Sequence, residues 1–434
     1  MTNAAANPLL DHIPGEDGWP IFGTVLEQLR DPRAFARRMV ARYGPVYRNR
    51  SFGQRWVVMV GAEANEMVLL DRDMIFSSEQ GWGPMLGRLF PNGLMLMDGE
   101  AHRAHRRMLG VAFKPPPMRH FAGVLEAGIA ERVACWSGRE ILLYPEVKQL
   151  TLDLAASFFL GLPLGPEATR INQAFTREVA ASIGIVRRPV PFTAMARGVA
   201  GRRYLIELFK REVPRRRESG GEDLFSQICR ATDDNGQMLD DQQIADHMNL
   251  MMIAAHDTIT SSLTSLVWQL GVNPEWQDRL REEVEASEDA ETLPLCDCAF
   301  RETLRISAPV PSLPRRAMKP FRFGGYEVPA GAYVIVSPSF VHHMDEYWSE
   351  PTRFDPTRFA PEAVRTRHKY AWVPFGGGAH MCLGLHLAMM QARLFLKALL
   401  PEHRICLIGA QPTRWQAWPI PKPRDGLPVR LERV

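Results

Sequence analysis

Apolar residues recur at helical spacing along most of this chain, and proline and glycine separate the segments. The longest segment, residues 240–270, opens on the N-cap candidates Asp240-Asp241 and closes before Gly271 and Pro274. Polar side chains occupy its centre, so it does not have the character of a membrane span. A second helix is predicted from just after Cys382 to Leu400. Most of the chain is therefore predicted to be helical.

Two stretches have the residue types and turn signals of β-strands instead. Residues 45–61 predict a hairpin that turns near Phe52-Gly53. Residues 320–338 contain β-branched and aromatic runs interrupted by Gly324-Gly325 and Gly331. We predict a mainly α fold with a small β lobe formed by these two stretches. Because no linker divides the sequence, residues 1–434 are predicted to form a single domain.

Composition and charge narrow the class of protein. Hydrophobic residues make up 46% of the chain and charged residues 23%, which is ordinary for a globular protein with a large core. A net charge of +3 is too small to indicate nucleic acid or an anionic membrane as a partner. Residues 1–29 lack the basic start of a targeting peptide, and no apolar run is long enough to span a bilayer. We expect a soluble, cytoplasmic monomer with no membrane anchor and no nucleic-acid partner.

Six cysteines are too sparse in a chain of this length for a disulfide framework, so most are predicted to be reduced core residues. Zinc is the alternative for Cys296-Asp297-Cys298. One intervening residue is not the usual zinc spacing of two to four, and no second pair follows. Only Cys382 has neighbours that indicate a specific chemistry.

The strongest motif precedes the second predicted helix and reads Phe375-Gly376-Gly377-Gly378-Ala379-His380-Met381-Cys382-Leu383-Gly384. A thiolate needs hydrogen-bond donors, and a glycine-rich approach to a helix N-terminus supplies backbone N–H groups. Three glycines alone would indicate only a loop beside a buried cysteine. Phe, Gly, His, Cys and Gly at these offsets are not expected by accident, and the stretch resembles the cytochrome P450 signature Phe-x-x-Gly-x-x-x-Cys-x-Gly.

The resemblance implies the cytochrome P450 fold and a haem b (iron protoporphyrin IX) whose axial ligand is the Cys382 thiolate. In this class, electron donation by the thiolate favours O–O cleavage. Phe375, Gly376 and His380 are implied cofactor contacts, and Gly384 would let the helix lie close against a flat ligand. The implied activity is that of a haem-thiolate monooxygenase.

Two further motifs follow the order expected of this family. The first is Glu302-Thr303-Leu304-Arg305, whose carboxylate and guanidinium share one helix face. The resemblance pairs it with Arg358 in a structural cluster. The second is Ala254-Ala255-His256-Asp257-Thr258. By resemblance, Thr258 would hydrogen-bond dioxygen and Asp257 would help relay protons, although Ala255 stands where the family commonly has glycine.

The haem propionates would need cations, because charge-assisted hydrogen bonds are the strong ones for carboxylates. His102 and Arg106 stand at i and i+4, so one helix face presents both. His380 and Arg315 match propionate contacts of the family. Arg316 could take the place of Arg315, and any one of these side chains could instead be a surface cation.

The substrate is predicted only as a class. Ile13-Pro14-Gly15-Glu16-Asp17-Gly18-Trp19-Pro20 resembles the branch that holds sterol demethylases and retinoic-acid hydroxylases, which favours a terpenoid, steroid or retinoid-like substrate. Positions that match the family's pocket segments are apolar, and core packing accounts equally well for any single one. They are Trp82, Met85, Leu86, Leu89, Phe90, Leu94, Met95, Phe175, Ile183, Met251, Met252, Val310 and Leu313.

No flavin or iron–sulfur module follows Cys382, so electrons are expected from an external ferredoxin and ferredoxin reductase. Basic residues predict a docking patch for an acidic ferredoxin, with a solvated charge run as the alternative. They are Arg103, Arg107, Arg365, Arg367 and Lys369. Two other functions stay open: a peroxide-driven peroxygenase or isomerase, and a non-catalytic haem-binding protein. Asp257-Thr258 favours the monooxygenase, because neither alternative needs a proton relay for dioxygen.

Overall fold

The computed structural model describes residues 10–20, 22–51, 53–161, 166–182, 184, 186–287, 292–409, 413–417 and 419–434. It is 57% helical with small sheets, which confirms the predicted mainly α fold with a small β lobe. The chain forms two compact units, each assembled from separate chain segments. Unit 1 comprises Met1–Pro84, Leu304–Cys382 and Gln416–Pro421, and unit 2 comprises Met85–Thr303, Leu383–Trp415 and Lys422–Val434. The single domain stays a prediction.

The helices of the described chain are α1 (Val25–Arg30), α2 (Pro32–Tyr43), α3 (Ala62–Leu70), α4 (Ser78–Leu86), α5 (Gly99–Leu109), α6 (Pro115–Trp136), α7 (Leu143–Leu160), α8 (Pro166–Ser182), α9 (Ala194–Ser219), α10 (Leu224–Arg230), α11 (Asp241–Val272), α12 (Pro274–Ala286), α13 (Pro294–Ile306), α14 (Pro338–Val341), α15 (Pro361–Arg365) and α16 (Leu385–Leu399). Among the described residues, no helix has the length and hydrophobicity that crossing a bilayer requires.

The strands are β1 (Gly15–Glu16), β2 (Val46–Ser51), β3 (Gln54–Met59), β4 (Phe76–Ser77), β5 (Glu140–Leu142), β6 (Leu313–Ala317), β7 (Phe321–Phe323), β8 (Tyr326–Val328), β9 (Tyr333–Val336), β10 (His403–Leu407), β11 (Trp415–Gln416), β12 (Lys422–Pro423) and β13 (Pro428–Arg433).

Unit 1 is built on a six-stranded sheet in the order β1-β2-β3-β9-β6-β4. The predicted hairpin is its β2–β3 pair, in which Ser51 lies opposite Gln54; Phe52 of the predicted turn lies outside the described residues. β9 runs parallel to β3, with Trp56 opposite Tyr333. Apolar side chains at alternate positions of β3 and β9 enter one buried cluster, because successive residues of a strand face opposite sides.

Unit 2 is organised around α11. The N-cap Asp240 accepts from the backbone N–H of Gln243, whose side chain accepts in return from the backbone of Asp240. This capping box explains the predicted start of the helix. The predicted end is two residues short, because α11 continues through Gly271 to Val272. A Cβ at Gly271 would lie 2.6 Å from Leu407, so glycine permits close packing there rather than ending the helix.

One sheet of unit 2 was not predicted from the sequence. β5, β10 and β13 form an antiparallel sheet in the order β10-β13-β5. Ile405 pairs with Leu431, and both are buried. The alternation of apolar and polar residues in 403–407 and 428–433 is a strand signal.

Candidate functional site

The Cys382 loop, residues 373–382 of unit 1, exposes its thiol while its backbone is held in place. The backbone N–H of Cys382 donates to the carbonyl of Phe375 at 2.9 Å, and the N–H of Gly376 donates to Val373 at 3.0 Å. Cys382 is solvent-exposed, as is Cys135. In sequence, Gly384 is the N-cap of α16, which starts at Leu385 as predicted.

Glycine is required where this loop touches α3. Gly378 has φ of +60°, and a Cβ placed on it would lie 1.9 Å from the carbonyl oxygen of Leu69. L side chains rarely adopt this φ, and the backbone contact leaves no room for one. Asn65, also on α3, donates from Nδ2 to the carbonyl of Tyr370 at 3.0 Å. Helix α3 therefore contacts the loop at Gly378 and also holds the segment just before the loop at Tyr370.

A buried histidine supports the start of the loop. Nε2 of His342 accepts from the backbone N–H of Val373 at 3.0 Å. Complete burial holds the pKa of His342 well below its usual range, with the charges of His343 and Arg305 acting in the same direction. The imidazole is therefore neutral at physiological pH, and only a neutral ring has a nitrogen that can accept.

The Glu302-x-x-Arg305 motif lies at the end of α13, and both side chains are 0% exposed. Arg305 donates to the carbonyls of His342 at 2.8 Å and Pro351 at 2.7 Å. Arg358 donates to the carbonyl of Glu350 at 3.1 Å. Both arginines thus anchor the same stretch of unit 1, which agrees with a structural role. The three-residue cluster stays a prediction.

The choice between Arg315 and Arg316 is narrowed by strand geometry. The two residues are adjacent on β6 and therefore face opposite sides of the sheet. Arg316 donates to Oε1 of Gln80 at 3.1 Å and lies over the ring of Tyr333. Arg315 is buried on the other face, where it donates to the carbonyl of Pro314 at 2.8 Å. Since Arg316 is engaged elsewhere, Arg315 is the better candidate for a propionate contact.

The two predicted cations of unit 2 lie on α5, as expected. His102 is buried and Arg106 is half-buried. Arg103 and Arg107 are exposed on the same helix, but each has an acidic partner: Arg103 pairs with Glu100 at 2.9 Å, and Arg107 pairs with Asp234. The charge of the predicted docking patch is thus partly neutralised.

Of the patch residues in unit 1, Arg365 and Lys369 are exposed. The Arg367 side chain is only half-buried rather than exposed, and it is held by contacts within the protein. Its guanidinium lies 3.8 Å from the ring centroid of Trp348 and donates to the carbonyl of Arg358 at 2.9 Å. Its first role is therefore to pack against the protein.

The centre of α11 is less buried than the turns on either side of it. Ala254 is exposed and Ile253, Ala255 and Thr258 are half-buried, whereas the residues before and after them are mostly buried. We call these four residues the open strip. The hydroxyl of Thr258 donates to the carbonyl of Ala254 at 2.7 Å, which is the one-turn back-bond that slightly loosens a helix.

Asp257 is buried beside two cationic or titratable groups of unit 2. Its carboxylate lies 3.2 Å from Nδ1 of His256 and 3.7 Å from Nζ of Lys148 on α7. Burial lowers the pKa of His256 to about 4, although the charge of Asp257 opposes this shift. The imidazole is therefore neutral at pH 7, and Lys148 supplies the positive charge beside Asp257. The lysine side chain is 27% exposed, so it connects the carboxylate to solvent.

The predicted pocket residues have mixed burial. Leu89, Phe90, Leu94, Phe175, Met251 and Met252 are buried in unit 2, whereas Trp82, Met85, Leu86, Met95, Val310 and Leu313 are half-buried. Ile183 lies outside the described residues. Half-burial is expected of large apolar side chains that line a ligand site, whereas full burial fits core packing.

Comparison with known proteins shows the family to which the chain belongs. The sequence pattern described as Cytochrome P450 matches residues 13–137 and 202–415. Cytochrome P450 136 of Mycobacterium tuberculosis is 34% identical over 438 residues, covering 97% of this chain and 89% of its own length. The chain belongs to the cytochrome P450 family. The predicted P450 fold and the assignment as an oxidoreductase enzyme are thereby confirmed.

Two other relatives of this P450 have informative names. Beta-amyrin 28-monooxygenase of Solanum lycopersicum is 28% identical, covering 96% of this chain and 92% of its own. The solved structure described as retinoic acid bound cyanobacterial CYP120A1 has a TM-score of 0.89 at 28% identity, covering 97% of this chain and 99% of that one.

The residues of this P450 fit a haem. An exposed thiol on a braced glycine-rich loop is the ligand that a thiolate-ligated iron needs. The open strip on α11 consists of small or apolar side chains beside one hydroxyl, which suits the face of a flat apolar ligand. Arg106 and Arg315 are cations, which suit carboxylates, and His102 and His380 carry N–H donors for the same groups.

Sequence reasoning missed the supporting residues Asn65, Lys148 and His342. Each acts through a contact with a distant segment: Asn65 with Tyr370, Lys148 with Asp257, and His342 with Val373. No local pattern marks such residues. A lysine on a helix is normally predicted to lie at the surface. A single buried asparagine or histidine leaves no repeating pattern in the sequence.

The loop geometry generates a prediction for Gly378→Ala. The added Cβ cannot be accommodated at 1.9 Å from the carbonyl of Leu69, so the Cys382 loop must move away from α3. We expect a loss of about 1–3 kcal/mol in the free energy of unfolding and a lower haem content per chain. Denaturant unfolding and the haem-to-protein absorbance ratio measure both quantities.

Gly123→Ala is the control, since no atom lies within 4 Å of a Cβ built at Gly123 on α6. It should be neutral or stabilising, because alanine favours helix over glycine. Unchanged stability and haem content in Gly378→Ala would contradict the close contact.

Proposed function

We propose that this P450 inserts one oxygen atom of O2 into an apolar small molecule of terpenoid, steroid or retinoid type, with electrons from a ferredoxin and its reductase. The observation that carries the proposal is the exposed Cys382 thiol on its braced loop within the family signature. Support for the substrate class comes from relatives whose names refer to beta-amyrin and retinoic acid. The cytoplasmic location stays a prediction.

When bound, haem b supplies dioxygen activation, and the thiolate favours O–O cleavage by electron donation. The residues proposed to hold it are Cys382 at the iron, Phe375, Gly376 and Gly384 near the ring, and four cations at the propionates. Those cations are His102, Arg106, Arg315 and His380. Of these four side chains, His102 and Arg315 are buried.

Asp257 and Thr258 are proposed to act in proton transfer. The Thr258 hydroxyl donates its own proton to Ala254, so its oxygen lone pairs remain available to accept. Asp257 can take a proton from solvent on the Lys148 side, since that lysine is part-exposed and lies within salt-bridge distance. Rotation of the carboxylate about its side-chain bonds would then carry the proton away from Lys148.

The first prediction of this function concerns the ligand. Reduced protein with carbon monoxide should show the strongly red-shifted Soret band of thiolate ligation. Cys382→His should lose that band and the monooxygenase activity, because imidazole is a neutral ligand. Cys135→Ala is the matched control, since Cys135 is also exposed and should leave the band intact. Retention of the band in Cys382→Ala would show that another residue binds the iron.

The second prediction concerns Thr258. Thr258→Ala should still bind haem and substrate but release reducing equivalents as hydrogen peroxide, because a proton-relay member typically contributes about 10²–10⁴-fold to its step. The measurement is product formed per NAD(P)H consumed. Thr264→Ala removes the same kind of back-bond, to the carbonyl of Thr260 at 2.7 Å, and should stay coupled. Equal coupling in Thr258→Ala and wild type would refute the relay.

The third prediction concerns the electron donor. Reduction by a ferredoxin should slow as ionic strength rises, because steering between opposite charges is screened by salt. Arg103→Glu/Arg107→Glu should slow reduction about tenfold or more at low salt. Arg211→Glu/Arg215→Glu is the control, with the same spacing and charge change on exposed positions of α9. A salt-independent rate, or equal slowing by both double variants, would place docking elsewhere. Turnover with peroxide alone would favour a peroxygenase instead.

A further inference from the structure

Asp234 lies at the tip of a short hairpin that connects α10 to α11 in unit 2. Its carboxylate pairs with Arg107 on α5, and the two side chains are 72% and 57% exposed. The residues are 127 positions apart in the chain, so their contact comes from the way the hairpin folds against α5. Arg107 is also one of the basic residues predicted to dock an acidic electron donor.

Hydrogen bonds within the hairpin fix the tip on which Asp234 stands. Thr232 and Met238 form an antiparallel bridge, and the backbone N–H of Asp233 donates to the carbonyl of Gln237 at 2.9 Å. The carboxylate of Asp233 accepts from the backbone N–H groups of Asn235 at 2.9 Å and Gln237 at 2.8 Å. That carboxylate is thus used inside the turn, whereas the carboxylate of the next residue reaches out to α5.

The base of the hairpin is fixed by Arg217 on α9. Its guanidinium donates to the carbonyls of Cys229 at 3.4 Å and Leu239 at 2.8 Å, which stand on either side of the hairpin. It also pairs with Asp241 at 2.9 Å. Cys229 and Leu239 are buried. The fold therefore keeps Asp234 within reach of Arg107.

Arg103, the other basic patch residue of α5, has a different kind of partner. Glu100 pairs with it at 2.9 Å from three residues earlier on the same helix. Side chains at this spacing are neighbours on any helix, so the pair needs no tertiary contact. The acid beside Arg107 is instead supplied by a separate element whose turn and base are both held in place.

An acidic partner that docks at Arg107 must deal with Asp234. A carboxylate brought to this guanidinium would lie beside that of Asp234 and be repelled by it, because like charges in contact are unfavourable. An ion pair between exposed side chains is weak and screened by salt, so a partner can displace Asp234. Docking then exchanges one ion pair for another instead of adding one.

We propose that Asp234 is an intramolecular competitor of an acidic electron donor for Arg107. The inference rests on the proposed function and deepens it, because it concerns how the electron donor of that reaction is recognised. The apparent affinity of a partner falls with the fraction of molecules whose binding site is free. For an exposed ion pair this competition weakens docking about twofold to sixfold.

The test measures reduction of the holoenzyme by an acidic plant-type [2Fe–2S] ferredoxin, as a second-order rate constant at several ionic strengths. At low salt, Asp234→Asn should be reduced about twofold to sixfold faster than wild type. Its rate should also fall more steeply as salt rises, because Arg107 then gains an ion pair on docking instead of exchanging one.

A matched control separates the hairpin from overall charge. Glu140 also pairs with an arginine, Arg430, at exposed positions of unit 2, where the two side chains are 57% and 48% exposed. Glu140→Gln therefore removes the same charge from the same kind of pair on another surface. We expect it to change the reduction rate much less than Asp234→Asn does.

A double-mutant cycle decides whether Asp234 acts through Arg107. If it does, the gain from Asp234→Asn must vanish in an Arg107→Gln background, and both Arg107→Gln variants should be reduced equally fast. If Asp234 only repels the donor from a distance, Asp234→Asn should give the same gain in both backgrounds. Haem content and the Soret band with carbon monoxide should be unchanged in every variant.

The outcomes separate the inference from the function on which it rests. The inference is overturned, while the proposed function stands, if Asp234→Asn gives no gain, if Glu140→Gln gives an equal gain, or if the gain persists in Arg107→Gln. If the ferredoxin reduces neither wild type nor Asp234→Asn at any ionic strength, the inference is overturned as well. Absence of the thiolate Soret band with carbon monoxide would overturn the proposed function itself.

Discussion

Fixing an exposed thiol is the constraint on which the rest of unit 1 depends. A side chain that must remain accessible cannot be fixed by packing around itself. Its backbone therefore has to be fixed by contacts with neighbouring elements. Here α3 supports the loop through the contact between Gly378 and Leu69, and His342 bonds its first residue, Val373. Arg305 bonds the carbonyl of His342 in turn. Arg305 is therefore linked to the Cys382 loop through a chain of hydrogen bonds.

That chain depends on charge states that burial imposes. His342 accepts a backbone hydrogen bond because its pKa is held well below the usual range, and Arg305 lies beside it as a permanent cation whose donors are taken by carbonyls. Leaving such buried groups without partners costs about 1–3 kcal/mol each. Removing the His342 side chain would leave the backbone N–H of Val373 without its acceptor, and removing that of Arg305 would leave the carbonyls of His342 and Pro351 without this donor.

In unit 2, α11 meets two opposing demands. Most of the helix is buried, and yet its middle turn is open. The hydroxyls of Thr258, Thr260 and Thr264 each donate to the backbone carbonyl four residues earlier in the same helix. Such back-bonds satisfy polar side chains inside a core without a partner from another helix. A second hydrogen bond, between the hydroxyls of Thr151 and Thr260 at 2.6 Å, ties the helix to α7. The open strip can thus present small side chains while the helix around it stays fixed.

The sequence by itself determined the family, the long helix with its capping residues at 240–243, the β2–β3 hairpin and the signature around Cys382, because each is encoded by residues close together in the chain. The tertiary structure alone decided that Arg316 is engaged by Gln80, that Arg367 packs on Trp348 rather than facing solvent freely, and that Arg107 has Asp234 as its partner. It also decided that Glu178 meets Asn249 and Lys148 meets Asp257. The reason is physical: burial and charge pairing depend on distances between segments far apart in the chain, which a local pattern of residues does not contain.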